Sequence, residues 1–177
     1  VPVYRRPADL ARGTPYLSRA QIETGQSLAG QELLWLDDPI DAFFLHVQGS
    51  GRVRLRDGSL VAIGFADTNG QPYRAIGAVL VERGEMRRED VTTPAIKAWL
   101  RSHPESVTEV LHSNPRYVFF RELPPRTDGG PPGSLGVPLE PMRSVASDPR
   151  RVPPGALLFA DTTDPRTGQP MRRLLVS

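Results

Sequence analysis

Apolar and polar positions alternate in two different rhythms along the first two thirds of the chain. From Arg52 to Leu55 the rhythm has a period of two residues, which is typical of a half-buried strand. Asp57-Gly58 comes next and predicts a type I′ hairpin turn, because both residue types tolerate positive φ. The turn leads into a second strand, Leu60 to Ala66, and Asn69-Gly70 predicts the turn that ends it.

Helical spacing replaces the strand rhythm after this hairpin. Ala75 to Arg83 places its large apolar residues on one face, and Gly84 stands where a left-handed C-cap is favoured. Thr93-Pro94 predicts an N-cap followed by Pro in the first helical turn, and this second helix runs to Ser102. A third helix is predicted over Pro104 to Leu111.

The last third of the chain has the pattern of a β structure. Tyr117 to Phe120 predicts a short buried strand, and the Pro- and Gly-rich stretch from Leu123 to Gly133 predicts a linker, because it can neither continue a helix nor pair in a sheet. Further strands are predicted at Ser144 to Ala146, Leu157 to Ala160 and Arg172 to Val176. The last of these ends in mid-strand, so we expect the natural protein to continue beyond Ser177.

Composition restricts the chemistry more than the fold. Of the 177 residues, 38% are hydrophobic and 24% charged, which is typical of a globular chain rather than a disordered one. The absence of cysteine excludes disulfides, thiolate zinc sites and a cysteine nucleophile. The net charge is only +2, and the arginines are scattered in pairs, which favours solvated surface groups over a nucleic-acid site. These pairs are Arg5-Arg6, Arg87-Arg88, Arg150-Arg151 and Arg172-Arg173.

A first candidate binding segment follows the apolar run Phe43 to Val47. In it, Gly49 and Gly51 let the backbone approach a ligand, while Gln48 and Ser50 offer hydrogen-bond donors and acceptors. The segment lacks the Gly-Lys-Ser/Thr ending and the third glycine of nucleotide loops. Spacing alone leaves a simple glycine-rich connection to a strand equally open.

A second candidate segment is the polar loop from Asp67 to Tyr73. Its side chains, Asn69 and Tyr73 among them, are of the kind that bind sugar hydroxyls and stack on a pyranose ring. The alternative is a hairpin loop whose Tyr73 packs in the core.

Asp148 is a third candidate, at the end of a run of small residues and before a proline-stiffened turn. Residue type alone favours a turn initiator whose carboxylate caps nearby amides. His46, His103 and His112 lack the spacing of a metal site, so we expect ordinary surface or half-buried histidines, with neither metal nor cofactor.

Taken together, these segments resemble the membrane-bound lytic murein transglycosylase A family. The resemblance spans nearly the whole chain in order. It is carried by Pro2-Val-Tyr-Arg5, Val47-Gln-Gly-Ser-Gly51, Asn69-Gly70, Tyr73-Arg-Ala-Ile-Gly77, Leu80-Val-Glu-Arg-Gly84, Asn114-Pro-Arg-Tyr-Val-Phe-Phe120, Ser144-Val-Ala-Ser-Asp148 and Pro153-Pro-Gly155.

The resemblance implies a mainly β fold with short helices. It consists of a double-psi β-barrel main domain, incomplete here, and an inserted smaller β-barrel domain, with a glycan groove between them. On that basis residues 1–124 form the inserted domain, 125–133 the linker, and 134–177 part of the double-psi barrel. The strands that open the main barrel are expected before Val1.

The resemblance also implies the reaction. Members cut the bond between N-acetylmuramic acid and N-acetylglucosamine in peptidoglycan without water, leaving a 1,6-anhydromuramyl end. One carboxyl group shuttles the proton. Three aspartates are expected at the centre: Asp148 matches the first, in a supporting role, and the others, including the main acid, are expected beyond Ser177. Gln48, Gly49, Ser50, Gly51, Asn69 and Tyr73 are the expected substrate-binding residues.

Members are typically lipoproteins of the outer membrane that face the periplasm. We therefore expect peptidoglycan strands as the partner, a lipid anchor outside this chain, cell-wall enzyme complexes as possible associates, and no nucleic acid. A non-catalytic peptidoglycan-binding module is the alternative function, because the same groove would serve it.

Overall fold

A computed structural model describes residues 1–11, 14–124, 130, 133–164 and 167–177. The chain divides into two compact units, Val1–Pro125 and Arg126–Ser177. The predicted linker 125–133 lies outside the described residues except for Gly130 and Gly133.

The first unit combines short strands with short helices. Its elements in chain order are β1 Pro2–Tyr4, α1 Arg19–Thr24, β2 Glu32–Trp35, α2 Pro39–Gln48, β3 Ser50–Arg54, β4 Leu60–Thr68, α3 Ile76–Glu82, α4 Thr93–Ser102, α5 Val107–His112 and β5 Val118–Glu122. Single 3-10 turns lie at Arg88–Asp90 and Pro104–Ser106.

An antiparallel sheet of order β3-β4-β5 is the frame of this unit, and β1 pairs with β2 in a separate sheet. Ser50 lies opposite Gly64 in the β3–β4 register. A bulge interrupts the pairing of β4 with β5 between Phe65 and Asp67. Both faces of β5 are covered, since Phe119 packs in one apolar cluster and Phe120 in another.

The helices α2 to α5 enclose a third apolar cluster. It is built from Phe43, Phe44, Leu80, Leu100 and Val110, among others. These positions recur at helical spacing, so each helix buries one stripe and leaves its polar side in solvent.

A buried arginine ties α1 to this frame. The Arg19 side chain is 2% exposed, and its guanidinium lies over the rings of Phe43 and Tyr117. It pairs with Glu23 at 2.6 Å and donates to the carbonyl of Arg116 at 3.0 Å. These contacts compensate its charge, which is why burial is tolerated.

The second unit contains one hairpin, β6 Leu157–Thr163 and β7 Pro170–Val176. Leu158 lies opposite Leu175, and Ser144 forms an isolated parallel bridge with Val176. The strand predicted at Ser144 to Ala146 is therefore a single bridge.

The architecture agrees with a mainly β chain that carries short helices. The strands of the described ranges form three separate antiparallel sheets and close no barrel. The helices predicted from Ala75 and from Thr93-Pro94 are confirmed as α3 and α4, and Gly84 has the left-handed φ of 76° expected of it.

Several local predictions need correction. The turn at Asp57-Gly58 is not type I′, because only Gly58 has positive φ, and Leu55 and Ser59 are joined instead through a three-residue loop. The N-cap of α4 is Thr92, whose hydroxyl accepts from the N–H of Ala95. His46 is buried, at 5% exposure, and is neither at the surface nor half-buried as expected.

Candidate functional site

The Gln48–Gly51 segment is the junction between α2 and β3. Gly49 ends the helix with a left-handed φ of 77°, and its N–H donates to the carbonyl of Leu45 at 2.8 Å. A Cβ on Gly51 would lie 2.6 Å from Cδ1 of Leu45, so this glycine makes room for a core side chain. The two glycines thus have a packing reason of their own.

This junction leaves two polar side chains available to a ligand. Gln48 is exposed and Ser50 half-buried. Within the described part of the chain, neither the Gln48 amide nor the Ser50 hydroxyl has a hydrogen-bond partner. An unused amide beside an unused hydroxyl can recognise a polar, uncharged ligand.

His46 fixes the last turn of α2, from which Gln48 projects. Its Nδ1 accepts from the N–H of Val118 at 3.2 Å, and its ring packs edge-on against Tyr117 and Phe120. Burial, and then the positive charge of Arg19, hold the pKa of His46 well below its ordinary value. The imidazole is therefore neutral, and it positions the turn. The signal in the sequence was its place on the buried stripe three residues after Phe43.

Asn69 is buried beneath the second candidate loop. Its side chain is 1% exposed, and its amide nitrogen donates to the carbonyls of Leu17 and Pro115 at 2.9 and 2.8 Å. Its Oδ1 accepts from the N–H of Tyr117 at 2.8 Å and of Gln71 at 3.3 Å. The protein itself uses the whole amide, which shapes the loop.

Other parts of the same loop face solvent. Gly70 has a φ of 69° and lies so close to Pro15 that a Cβ would be 3.2 Å from the proline Cα. Tyr73 is 50% exposed, which contradicts the alternative of a core-packing tyrosine. A pocket of about 450 Å³ lies beside the loop, with Asp67, Thr68 and Gly70 in its wall, and Arg6 pairs with Asp67 at 2.7 Å.

Strand β4 connects the two candidate segments, and Phe65 lies between them. A Cβ on Gly49 would be 3.9 Å from the Cβ of Phe65, so the aromatic side chain adjoins the α2–β3 junction. Phe65 is 51% exposed, whereas Phe119 and Phe120 are buried. The sequence pattern did not single out Phe65, which lies two positions before Asp67.

Asp148 lies in the second unit, at the start of a turn. Its carbonyl accepts from the N–H groups of Arg151 and Val152, and its Oδ1 accepts from the N–H of Arg150. The Arg150 guanidinium pairs with both carboxylate oxygens and, together with that backbone bond, lowers the pKa of Asp148. The group is an ionised acceptor that caps its turn.

A larger, mainly apolar pocket flanks this turn within the second unit. Its volume is about 690 Å³, and its wall includes Ala146, Ser147, Pro149, Leu135, Leu139 and Val176.

Three other features concern possible partners. Each of the four arginine pairs has a member bound to an acidic residue, through Arg6–Asp67, Arg87–Asp90, Arg150–Asp148 and Arg172–Asp161. In the ranges that the structure covers, no three acidic or histidine side chains gather as a metal site would require. None of the helices there has the length and apolar character needed to cross a bilayer.

Comparison with known proteins gives one consistent result. The profile of the MltA specific insert domain matches residues 1–121. Membrane-bound lytic murein transglycosylase A of Escherichia coli K12 is 38% identical over 183 residues, which cover 99% of this chain and 48% of that protein. The Vibrio cholerae protein of the same name is 40% identical over 81% of this chain and 39% of its own length. The chain therefore spans about half the length of these relatives, or less.

Solved structures agree with the sequences. The lytic transglycosylase LtgG of Burkholderia pseudomallei is 48% identical, with a TM-score of 0.78 over 99% of this chain and 53% of that one. E. coli MltA with bound chitohexaose is 37% identical, with a TM-score of 0.85 over the same shares. The class common to all of these proteins is the lytic transglycosylases. The chain belongs to the membrane-bound lytic murein transglycosylase A family.

Proposed function

We propose that a polypeptide containing this chain and spanning the full length of its relatives is a peptidoglycan lytic transglycosylase. It cleaves the bond between N-acetylmuramic acid and N-acetylglucosamine and leaves a 1,6-anhydromuramyl end. The observation that carries the proposal is similarity over 99% of this chain to proteins of that name. Within the described residues, the unpaired Gln48 and Ser50 side chains at the α2–β3 junction support it.

The reaction needs a single acid that becomes a base. A carboxylic acid protonates the glycosidic oxygen, the bond from that oxygen to C1 breaks, and the resulting carboxylate accepts the proton of the C6 hydroxyl as this hydroxyl attacks C1. No water is consumed, unlike in the two-carboxylate glycosidases. Such an acid needs a raised pKa. Asp148 has a lowered pKa instead, which supports a supporting role for it. We propose that the acid lies in the part of the full-length protein that this chain does not include.

The site residues have different roles in this proposal. Gln48 and Ser50 bind the glycan directly, Gly49 and Gly51 fix the junction that presents them, and Tyr73 contributes an exposed ring. Asn69 acts through the loop it holds, because its amide is already used.

The domain arrangement and location follow from the same relationship. We propose that 1–124 is an inserted small β-barrel domain, 125–133 a linker, and 134–177 part of a double-psi β-barrel. The relatives are named membrane-bound. We accordingly place the protein in the periplasm, lipid-anchored to the outer membrane, with peptidoglycan strands as substrate and cell-wall enzymes as associates.

The test is digestion of purified sacculi by the full-length protein, with the soluble products identified by mass spectrometry. Products that carry 1,6-anhydro ends are expected. Reducing muramyl ends in their place would indicate hydrolysis and would overturn the proposal.

A non-catalytic peptidoglycan-binding module is the second candidate, favoured by the Gln48 and Ser50 side chains, which have no hydrogen-bond partner among the described residues and which binding alone would use. It predicts that sacculi retain the protein without any release of fragments. The Gln48→Ala/Ser50→Ala variant should lose retention, whereas Gln26→Ala, which removes another exposed glutamine of the same unit, should keep it. Retention that survives the double variant but disappears in high salt would instead indicate incidental binding through arginines.

A further inference from the structure

One face of the β3-β4-β5 sheet carries three arginines. Alternate residues of a strand share a face, and residues directly opposite each other on antiparallel strands do so as well. Arg52 lies opposite Ala62. Gly64, two residues further along β4, lies opposite Ser50 on one side and Arg121 on the other. We call this surface the arginine face, and it consists of Ser50, Arg52, Arg54 and Arg121.

The opposite face of the sheet is the buried one. Val53, Ile63 and Phe120 pack there in one apolar cluster. All three arginines of the arginine face are exposed to solvent, and Ser50 is half-buried. The arginine face is therefore the side of the sheet that is open to a ligand.

The charges of this face are not compensated within the described residues. None of its positions holds an acidic residue, and none of its three arginines forms an ion pair there. Arg83 of the same unit, by contrast, binds Glu109 at 2.6 Å. Arg121 donates its Nε to the carbonyl of Phe65 at 3.4 Å, and its two terminal nitrogens have no partner in the same ranges. Like charges on one face repel each other, so an anion bound among them lowers this repulsion.

Small residues of the central strand leave room between the arginines. Strand β4 separates Arg52 from Arg121, and it contributes Ala62 and Gly64 to this face. Leu123 covers Gly64, because two of its side-chain carbons would lie 3.0 Å from a Cβ built there. The strands that carry the two arginines are about 10 Å apart, at two strand spacings. Between them lies a low floor that is apolar.

This arrangement fits a chain that bears several carboxylates. A guanidinium group presents two parallel N–H donors to the two oxygens of a carboxylate, which makes the pair geometrically specific. The stem peptides of peptidoglycan, which are attached to N-acetylmuramic acid, carry free carboxylates and short aliphatic side chains. Their carboxylates can pair with Arg52 and Arg121, while their aliphatic groups lie on the floor formed by Ala62 and Leu123.

Ser50 connects the arginine face to the segment that is proposed to bind the glycan. Its backbone belongs to the α2–β3 junction, and its hydroxyl has no partner among the described residues. Arg121 lies across Gly64 from it. A sugar residue bound at the junction and the stem peptide that branches from this sugar would thus occupy adjoining places.

An anionic lipid surface fits this part of the sheet less well. The turn of the β3–β4 hairpin contains Asp57, which is exposed. Hydrogen bonds from Ser59 lower the pKa of Asp57, so this carboxylate is ionised near neutral pH. A flat anionic surface that reached Arg54 at the end of β3 would also meet that negative charge, whereas a narrow peptide would not.

We propose that the arginine face binds the carboxylates of the stem peptide that branches from the glycan strand, with Arg52 and Arg121 as its two anchors. This inference rests on the proposed function, since it takes peptidoglycan as the ligand. It adds residues that determine the preference for peptide-bearing strands and take no part in proton transfer.

Turnover of two substrates by the full-length protein tests this assignment. One substrate is soluble glycan strands with stem peptides, and the other is the same strands after an amidase has removed the peptides. Arg52→Gln/Arg121→Gln should lower kcat/KM on the peptide-bearing strands about ten- to thirtyfold, mainly through KM, and by less than about twofold on the stripped strands. The difference should shrink as salt is added, because the contacts join exposed charges.

Arg5→Gln/Arg88→Gln is the matched control. It removes two exposed arginines of the same unit that form no ion pair within the described residues, so it changes the net charge by the same amount. It should leave both values of kcat/KM unchanged. An equal loss in the control and in Arg52→Gln/Arg121→Gln would mean that general charge attracts the substrate, and would overturn the proposal. So would an equal loss on peptide-bearing and stripped strands.

Direct binding separates the arginine face from the proposed function. In calorimetric titration with N-acetylmuramyl tetrapeptide, Arg52→Gln/Arg121→Gln should bind about tenfold more weakly than the wild type. Equal affinities of the two proteins overturn the stem-peptide assignment, whatever the turnover shows. A wild type that binds this ligand in the expected way but releases no anhydromuropeptides from sacculi overturns the proposed function alone. Vesicles that contain phosphatidylglycerol are the third probe: if only their binding is lost in the variant, the face binds lipid, and the proposal is wrong.

Discussion

Arg150 pairs with Asp148 through two nitrogen atoms, Nε to Oδ1 and Nη2 to Oδ2, each at 3.1 Å. This ion pair, together with the N–H of Arg150, lowers the pKa of Asp148 from its ordinary value. A carboxyl group with a lowered pKa is deprotonated near neutral pH, so Asp148 does not titrate between pH 5 and 8 and has no proton to donate there.

The consequence is a specific pH–rate profile. Asp148→Asn in the full-length protein should lower kcat by less than the roughly 10²–10⁴-fold typical of a lost general acid, without altering the shape of the profile between pH 5 and 8. Release of anhydromuropeptides from sacculi measures it. Asp161→Asn, which breaks the Arg172 ion pair of the same unit, is the control and should change neither. Disappearance of a titrating limb in Asp148→Asn would show that Asp148 is the acid after all.

Asn69 and Gln48 should respond oppositely to alanine substitution. Asn69→Ala leaves the buried N–H of Tyr117 and the carbonyl of Leu17 without partners and removes one of the two donors to the Pro115 carbonyl, so we expect the free energy of unfolding to fall by about 2–4 kcal/mol. Gln48→Ala should change it by less than about 0.5 kcal/mol, since its amide is exposed and unbonded. Urea unfolding measures both. A Gln48 variant as unstable as the Asn69 variant would contradict this assignment.

Stability should depend on pH through His46. Its pKa is far lower in the folded chain than the ordinary value, so below about pH 6.5 the unfolded chain binds more protons. Above that pH, His46 makes no pH-dependent contribution to the free energy of unfolding. Below it, the free energy of unfolding falls as the pH decreases, by at most about 1.4 kcal/mol per pH unit. Fluorescence of Trp35 and Trp99, both in the first unit, follows unfolding in urea at pH 7.5, 6.5 and 5.5.

Removing the titratable group should remove this dependence. His46→Asn keeps an acceptor for the N–H of Val118 but no ionisable ring, so its unfolding free energy should be lower overall and flatter with pH. His103→Asn, at a half-buried position, should keep the slope of the wild type. An undiminished slope in His46→Asn would assign the effect to another group.

Gly51 and Leu45 should be coupled. An alanine at Gly51 places a Cβ 2.6 Å from Leu45 Cδ1, so Gly51→Ala should lower the free energy of unfolding by about 1–3 kcal/mol. In the Leu45→Ala background the same change should cost less than about 0.5 kcal/mol, because the opposing atoms are gone. A double-mutant cycle by urea unfolding measures the coupling. Additive effects would mean that Gly51 is required for another reason.

Local chemistry was enough to predict much of this chain. The helices α3 and α4 and the strands β3 and β4 lie where periodicity places them, since amphipathic spacing and capping residues act over a few positions. Gly84 takes the left-handed φ predicted for it. Ordered motifs also carried the family resemblance, which comparison with known proteins confirms.

The secondary structure of short apolar runs was harder to predict, because their length and periodicity fit a helix and a strand alike. The run Phe43 to Val47 had no assigned structure from sequence. It lies in the C-terminal half of α2, because Pro39 to Gln48 packs against α3, α4 and α5. His46 was expected to be at the surface or half-buried, whereas it is buried against β5, more than 70 residues along the chain.

The sequence by itself determined where α3, α4, β3 and β4 lie, and the family. Only the tertiary structure decided which polar side chain of each motif faces solvent. Asn69 and Gln48 are both amides in glycine-containing motifs, yet Asn69 is closed in by Leu17 and Pro115, which are 52 and 46 residues away. Gln48 ends a helix at a point that nothing covers among the described residues, and Phe65 is exposed beside it. Burial of a side chain depends on segments that are distant in sequence, and the local pattern of residues does not identify those segments.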